Sequence, residues 1–341
     1  MPGWVYELFY FGQNRKRNMK KTFQKSLIAA SVGALLATAS MVASAGTPGT
    51  TNLLFPYVTS KVGAYTFLSI TNQLGAPGPT PLHFTWATKE IGAANSAACN
   101  HVNGDAMSTP NDLMQFEMSN RIDVPAAFGD TTSAPKYFPG APAGSNQQGF
   151  LIVNNSAAAA YGEAAAYNGA ILHGDAHIVD TSTGLYFAYS TDDLHTTDAA
   201  LPDFSLPAGP DGANPNKVMS WYATSVATTS FYILPLAGEG LMAYAGAASV
   251  TYAATGPGPL FFYGHYNNNE GFQSSTTNVP VTCFGVASRA QMLGALNEPW
   301  SANGGWANWF MVGGAATNAL VYKQETTLNG MGSYITRAPT L

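Results

Sequence analysis

One stretch near the start of the chain, TNLLFPYVTSKVGAYTFLSITNQ at Thr51–Gln73, limits the possible folds more than any other. β-Branched and aromatic residues dominate it, and these residue types suit a pleated, half-buried surface. Polar and small residues interrupt it once, where a tight turn fits. We therefore predict a β-hairpin, with strands over Leu53–Val58 and Tyr65–Thr71 and a turn at Ser60–Gly63.

Similar short runs recur along the rest of the chain, separated by segments rich in Gly, Pro, Asn and Asp. Many short strands with turns at short intervals favour a mainly β fold. We expect an antiparallel β-sandwich, immunoglobulin-like or jelly-roll-like, with few short helices. Further strands are expected at Leu82–Thr88, Leu113–Met118, Phe150–Asn154, Gly169–Val179, Gly184–Ser190, Val218–Thr224, Ser230–Leu236, Leu241–Tyr252, Pro259–Tyr266, Thr277–Gly285, Leu320–Thr326 and Met331–Thr336.

Local signals also predict how some of these elements begin and connect. Gly169–Val179 and Gly184–Ser190 are expected to pair as a hairpin, with the Asp180 side chain capping the turn. A capping-box pattern, Ser288 followed three residues later by Gln291, predicts the start of a helix over Ser288–Leu296. Two more hairpins are predicted, one of Val218–Thr224 with Ser230–Leu236 and one of Leu320–Thr326 with Met331–Thr336. We also predict a short Ala-rich helix at Ser156–Tyr167 and an exposed turn at Tyr266–Glu270.

The opening stretch resembles a family of uncharacterised secreted bacterial proteins. Their mature chains open with a similar LFP-[FY]-VT run, followed by a strand ending in SITN or SISN, as in LLFPYVTS and YTFLSITN of this chain. Further similar blocks are PLHFTW at Pro81–Trp86, STPNDLMQFEM at Ser108–Met118 and VPVTCFG at Val279–Gly285. The resemblance implies a β-rich extracytoplasmic protein of unknown role, and it carries no assigned catalytic residues.

The N-terminal region has the pattern of a secretory signal. Lys20, Lys21 and Lys25 form a positive region, an apolar Ala-rich segment follows, and Ala43-Ser44-Ala45 provides small residues for a signal peptidase. We expect the signal to cover Met19–Ala45, the mature chain to begin near Gly46, and Met1–Asn18 to be a mis-assigned extension. The alternative is an uncleaved membrane anchor. A cleaved signal predicts a secreted, periplasmic or cell-surface bacterial protein with no membrane span.

Charge excludes some partners of the mature chain. Charged residues make up 10% of the sequence, against about 25% in typical globular proteins. Met1–Ala45 contains six of the Lys and Arg residues and one acid, so the remainder carries eight basic and eighteen acidic residues, a formal charge of −10. Nucleic acids and anionic lipid surfaces are therefore poor candidate partners.

The chain also shows signs of two related parts. LPDFSLPAGPDGANPN at Leu201–Asn216 is its strongest linker signal and separates Gly46–Ala200 from Lys217–Leu341. YATSVATTSF, from Tyr222, aligns with YVTSKVGAYTF, from Tyr57, with one deletion. Two related β-sandwich halves would explain this match. The alternative is that separate hairpins reuse the same residue types.

The two cysteines, Cys99 and Cys283, both lie in the region expected to be exported. In an oxidising compartment, two such residues favour one disulfide bond. The alternative is a pair of free, buried thiols. Two cysteines alone are too few for a metal site.

No catalytic or cofactor-binding motif is present in the sequence, and no cofactor is predicted. His173, Asp175 and His177 would share one face of a strand, about 6.5–7 Å apart at each step, and could contribute to a metal site if another segment added ligands. The alternative is a polar, solvent-facing side of an edge strand. Paired acids Asp192 and Asp193, near His195, could bind Ca²⁺, although turn capping is the commoner use of such residues.

A predicted loop rich in Gly, Asn and Trp, at Trp300–Trp309, provides the other candidate site. Flat aromatic faces and amide groups suit sugar stacking and hydrogen bonding, whereas the alternative is tryptophan packed in the core. The predicted ligand-binding residues are Trp300, Asn303, Trp306, Asn308 and Trp309.

Three functional hypotheses follow. The first is an exported, non-enzymatic structural or interaction protein, which could self-assemble if Gly46–Tyr57 were donated to the sheet of another protomer. Pairing of that strand with Tyr65–Thr71 of its own chain is the alternative to such exchange. The second hypothesis is a carbohydrate-binding module, with a cell-surface glycan as partner, and the third is a secreted hydrolase with an unrecognised site.

Overall fold

The structure is a computed structural model, and it describes residues 52–73, 80–122, 124, 138, 146–154, 172–191, 217–237, 240–241, 258–273, 278–293, 299, 301–311, 318–328 and 333–337. Within these residues the protein is mainly β, with antiparallel sheets and almost no helix. The predicted antiparallel β fold is therefore confirmed. The predicted helix at Ser156–Tyr167 and the linker at Leu201–Asn216 lie outside the described residues.

The first half of the chain contributes eight strands within the described residues. They are β1 (Asn52–Thr59), β2 (Ala64–Asn72), β3 (Thr80–Glu90), β4 (Asn100–Ser108), β5 (Asp112–Glu117), β6 (Gln147–Asn154), β7 (Leu172–Asp180) and β8 (Leu185–Ser190).

The second half contributes ten described strands and one short helix. They are β9 (Lys217–Trp221), β10 (Ala227–Ala237), β11 (Gly240–Leu241), β12 (Gly258–Asn267), β13 (Phe272–Gln273), β14 (Asn278–Val281), β15 (Gly285–Ser288), α1 (Arg289–Leu293), β16 (Gly305–Met311), β17 (Asn318–Thr327) and β18 (Ser333–Arg337). Where the chain is described, no helix is both long and apolar enough to cross a membrane.

The described strands form three sheets. A four-stranded sheet has the order β1-β6-β3-β4, and a five-stranded sheet has the order β13-β12-β16-β9 with β14 also paired to β12. A nine-stranded sheet has the order β11-β10-β17-β18-β8-β7-β2-β5, with β15 also paired to β10. Its two parts meet where β8 and β18 pair in parallel, at Ala188 and Tyr334. Both halves of the chain therefore belong to one compact unit, Pro48–Leu341.

The pairing order of the second half repeats that of the first. The order β1-β6-β3-β4 corresponds to β9-β16-β12-β14, and β5-β2-β7-β8 corresponds to β15-β10-β17-β18. Each half is thus a sandwich of one small sheet and one part of the large sheet. The same topology occurs twice in one chain, as expected for a duplicated eight-stranded unit.

The predicted opening hairpin is wrong. β1 and β2 lie where expected, but β1 pairs with β6 of the four-stranded sheet, and β2 pairs with β5 and β7 of the nine-stranded sheet. The reason is that Leu53, Leu54 and Phe55 are all fully buried, so β1 needs apolar cover on both faces, which a two-stranded hairpin cannot provide. Within its own chain β1 already has a partner strand, although that partner is not Tyr65–Thr71.

The predicted hairpin of Val218–Thr224 with Ser230–Leu236 is wrong for the same reason. β9 pairs with β16 of the five-stranded sheet, whereas β10 pairs with β11, β15 and β17 of the nine-stranded sheet. Inward side chains of both strands enter a single core. The connection between them therefore crosses from one layer to the other.

Features predicted from residues that are close in sequence agree with the structure. β7 pairs with β8 in an antiparallel hairpin, and Asp180 Oδ1 accepts the N–H of Ser182 at 2.9 Å. The capping box also forms, because Ser288 N donates to Gln291 Oε1 and Gln291 N donates to Ser288 Oγ. β17 and β18 pair antiparallel as the closing hairpin. An unpredicted strand, β4, occupies part of the polar region around Cys99.

Three apolar clusters hold the layers together. The first lies inside the first sandwich and includes Phe55, Phe84 and Phe116, and the second lies inside the second sandwich and includes Trp221 and Phe231. The third joins the halves: the outer face of the four-stranded sheet packs on the outer face of β10 and β17. Its members include Leu54, Ala87, Phe150 and Ile152 on one side and Tyr232, Leu234, Leu320 and Tyr322 on the other.

Candidate functional site

An aromatic row crosses the outer face of the five-stranded sheet. Tyr266 on β12 lies opposite both Trp306 on β16 and Phe272 on β13. Ring centroids of Tyr266 and Trp306 are 4.5 Å apart, and those of Tyr266 and Phe272 are 5.0 Å apart. Trp306 is 40% exposed and Phe272 is 59% exposed. Phe272, Tyr266 and Trp306, which we call the aromatic row, therefore form a continuous surface open to solvent.

A tight turn between β12 and β13 sets one end of the aromatic row. Asn267 Oδ1 accepts the backbone N–H groups of Asn269 and Gly271 at 3.0 and 2.9 Å. Glu270 has φ of 62°, a left-handed conformation that closes the turn. Because the turn is this short, Phe272 lies directly opposite Tyr266. Asn268, Asn269 and Glu270 are exposed beside the row, as predicted for this turn.

A second turn, just before β16, adjoins the first. Asn268 N donates to Gly304 O at 3.1 Å and so joins the two turns. Gly304 has φ of 97°, and a Cβ at Gly305 would lie 2.2 Å from Tyr266 O. Gly304 therefore permits the left-handed turn, and Gly305 permits β16 to approach β12 this closely. Asn303 is exposed on this turn, at the end of the aromatic row.

Exposed apolar side chains continue around the same end of the second sandwich. Leu328 N donates to Val226 O at 3.1 Å, and Thr224 N donates to Ala302 O at 2.8 Å, which ties the neighbouring connections to the second turn. Among the described residues of the second half, the large exposed apolar side chains all lie at this end. They are Tyr222, Val226, Phe272, Trp306 and Leu328.

A buried ion pair supports the site from inside. Lys323 Nζ lies 3.2 Å from Glu325 Oε2, and the side chains are 9% and 2% exposed. Lys323 Nζ also donates to Ser220 O at 2.8 Å, and Glu325 Oε1 accepts the N–H of Tyr222 at 3.1 Å. The pair thus fixes the backbone where β9 ends, beside the strand that carries Trp306.

The two halves differ in how their equivalent faces are used. In the first half, the outer face of the small sheet is covered by the second half through the third cluster. In the second half, the corresponding face carries the aromatic row and exposed Ser220, which lies opposite Trp306. Trp306 and Phe272 remain accessible there. In the part of the chain that the structure describes, the aromatic row is therefore accessible, whereas the corresponding face of the first half is covered.

The predicted tryptophan cluster is only partly described. The structure brings Trp306 and Asn303 to the same end of one sheet. The predicted loop at Trp300–Trp309 is wrong in its second part, because residues 305–309 pair with β12 and β9 as part of β16. The side chains of Asn308 and Trp309, and Trp300 as a whole, lie outside the described residues. Tyr266 and Phe272 were not predicted as members of the site. Their signal was an aromatic residue at each end of the Asn-rich turn, which becomes informative only once that turn is known to be a hairpin.

The predicted metal ligands share one outer face of β7, but neighbouring side chains already engage two of them. Asp175 Oδ1 accepts a hydrogen bond from Ser190 Oγ at 2.8 Å. His177 Nδ1 lies 2.9 Å from Tyr186 Oη, and burial lowers the pKa of His177 while Asp175 partly opposes the shift. No group of three His, Cys, Asp or Glu side chains could hold a metal ion in the described ranges, which omit Asp192, Asp193 and His195.

The predicted disulfide between Cys99 and Cys283 is confirmed, with the two Cα atoms 6.1 Å apart. It joins the first half to the second. Close by, Asn95 bonds the backbone of Val286 twice: its Nδ2 donates to the carbonyl and its Oδ1 accepts the N–H, both at 2.9 Å. Buried Lys89 adds another connection, because its Nζ donates to Asn95 O and Thr282 O.

A scan against protein-family models finds no family that matches this chain, and a search of curated proteins finds no similar protein.

Proposed function

We propose that this protein is exported and acts by binding a partner at the cell surface or outside the cell, not by catalysis. The observation that carries the proposal is the accessible aromatic row on a sheet face whose counterpart in the first half is buried. Exposed apolar surface with a polar rim marks interaction sites in folded proteins. The amide-bearing turns with Asn268, Asn269 and Asn303 supply such a rim.

The character of the side chains at this end supports binding over catalysis. Segments 218–228, 266–273 and 299–306 contain a single charged residue, Glu270. Acid–base catalysis of hydrolysis commonly needs a second group positioned against the first. Aromatic rings and amides instead provide contact area and hydrogen bonds.

Export is supported by independent features. The Met19–Ala45 segment has the charge, apolar run and small residues of a cleavable signal. A disulfide between Cys99 and Cys283 suits an oxidising compartment. The resemblance of the opening stretch to secreted bacterial proteins leads to the same conclusion.

Producing the full chain in a bacterial host tests this proposal. Cell fractions and medium are separated, and the N-terminus of the protein is measured by mass spectrometry. We expect an extracytoplasmic protein that begins near Gly46, and Ala45→Arg should block processing and retain the precursor. A cytoplasmic wild-type protein that keeps Met1 or Met19 would contradict the proposal.

A further inference from the structure

We propose that the aromatic row and its two adjoining turns bind a neutral carbohydrate chain. This inference rests on the proposed function and names the chemical class of the partner. Its starting point is that three aromatic rings on adjacent strands lie beside exposed amides on both turns.

The row has the dimensions of an extended ligand site. It crosses β13, β12 and β16 and continues to the exposed Ser220 on β9. Adjacent strands lie about 4.8 Å apart, so the aromatic row is roughly 10 Å long, and the surface from Phe272 to Ser220 is roughly 14 Å long. The C–H face of a sugar ring is apolar and can pack on Trp306 or Phe272, while its hydroxyl groups remain free for hydrogen bonds. A short oligosaccharide segment fits along such a row.

Exposed hydrogen-bonding side chains lie on the two turns beside the aromatic row. Asn268, Asn269 and Asn303 are exposed on the joined turns, and each amide both donates and accepts hydrogen bonds. Glu270, also exposed, adds two acceptor oxygens. Sugar hydroxyls likewise donate and accept, so this mixture of groups is complementary to them.

Charge favours a neutral chain over an acidic one. Segments 218–228, 266–273 and 299–306 contain no Lys or Arg, and their one charged residue, Glu270, is acidic. A polyanion would find no counter-charge on these segments and would be repelled by Glu270. Acidic polysaccharides and nucleic acids are therefore disfavoured as ligands.

A second copy of the chain fits the aromatic row less well than a carbohydrate does. In the internal contact between the halves, the small-sheet face meets an apolar large-sheet face that includes Tyr232 and Tyr322. The equivalent large-sheet face of the first half instead carries Ser69, His173 and Asp175. Repeating the internal contact between copies would bury these polar side chains, the Asp175 carboxylate among them, against the small-sheet face, which is costly.

Affinity electrophoresis of the mature protein tests the inference. Native gels contain hydroxyethylcellulose, mixed-linkage β-glucan, xylan or glycol chitin as neutral probes, and alginate as the acidic comparison. We expect retardation by at least one neutral probe and none by alginate. Trp306→Ala and Phe272→Ala should each weaken that binding by at least about tenfold, as truncation of an aromatic anchor does.

Val62→Ala is the matched control, because Val62 is 67% exposed and lies in the first half. It should bind like the wild type, and circular dichroism should show that all variants are folded. Phe272 lies on a two-residue edge strand, so its variant keeps the test valid if Trp306→Ala unfolds.

Three outcomes would overturn the inference: no neutral probe retards the wild type, alginate retards it most, or Trp306→Ala dissociates an oligomer in sedimentation while leaving glycan binding unchanged. An exported protein that fails every gel refutes only the carbohydrate inference. A protein that stays in the cytoplasm refutes the proposed function, whatever the gels show.

Discussion

At the scale of single residues, Lys89 is the most unusual group in the described part of the chain. It is 4% exposed, and its Nζ donates to Asn95 O and Thr282 O, each at 2.8 Å. Burial lowers the pKa of Lys89 from 10.5 to about 8. The two carbonyl groups belong to different halves, so this amine crosses the junction between them.

The lowered pKa predicts that stability depends on pH. The folded protein releases the Lys89 proton near pH 8, whereas the unfolded chain holds it until about pH 10.4. The unfolded state thus binds more protons in this interval, and the free energy of unfolding rises with pH. From pH 7.5 to 9.5 we expect a gain of about 2 kcal/mol in urea denaturation.

Lys89→Met supplies the control for this prediction, because it removes the titrating group. The free energy of unfolding is plotted against pH for the wild type and the variant. The difference between the two slopes gives the contribution of Lys89, because all other titrating groups are shared. Half-buried Tyr57, whose pKa is raised to about 12, ionises first in the unfolded chain and opposes the gain slightly near pH 9.5, but it does so equally in wild type and variant. Equal slopes for the two proteins would show that Lys89 is not responsible.

At the scale of elements, the connections that cross between layers decide the fold. At the first of these, between β1 and β2, Thr66 Oγ1 donates to Thr59 O at 2.8 Å and accepts the N–H of Thr59 at 3.2 Å. Arg121 adds its guanidinium, which donates to the carbonyls of Lys61 and Ala64. Side chains therefore replace the backbone ladder that a hairpin would have provided.

Thr66→Val tests this account of the first connection. Valine matches threonine in shape but leaves the buried N–H of Thr59 without its partner, and such a loss costs about 1–3 kcal/mol. We expect a decrease of about 2 kcal/mol in the free energy of unfolding, measured with urea. Thr71→Val, on the outer face of the same strand, should change stability by less than about 0.5 kcal/mol. Similar losses for both variants would contradict the proposed role of Thr66.

At the scale of the whole molecule, the two sandwiches are held together by packing and by one covalent bond. In the third cluster, the Tyr57 and Tyr232 rings stack with centroids 4.3 Å apart. The disulfide joins residues separated by 184 positions in sequence. A cross-link over so long a loop restricts the unfolded chain strongly.

Reduction of the disulfide should therefore lower stability substantially. The chain-entropy relation gives about 5 kcal/mol for a loop of this length. We expect the urea midpoint to fall on adding a reductant, and the Cys99→Ser/Cys283→Ser variant should show the same midpoint with or without reductant. Without reductant, the folded wild type should not react with a maleimide. Labelling of either cysteine under those conditions would contradict the disulfide in solution.

Features that depend on neighbouring residues were predictable from the sequence alone. Asp180 caps its turn, Ser288 and Gln291 form a capping box, and β7 pairs with β8, because each contact joins residues a few positions apart. The disulfide was also predictable, since only two cysteines are present. A β fold followed from residue types that favour pleated, half-buried strands.

The pairing of strands that are distant in sequence, and the faces that remain open, depend on the tertiary structure. Leu53 lies opposite Val153, 100 positions away, and no local signal encodes that choice. The aligned YVTSKVGAYTF and YATSVATTSF segments match Phe67 with Phe231, yet the core residues are Leu68 and Phe231. A shift of one residue reverses the face of a strand, so sequence similarity could not establish register. The aromatic row likewise exists because distant strands bring Tyr266, Phe272 and Trp306 together.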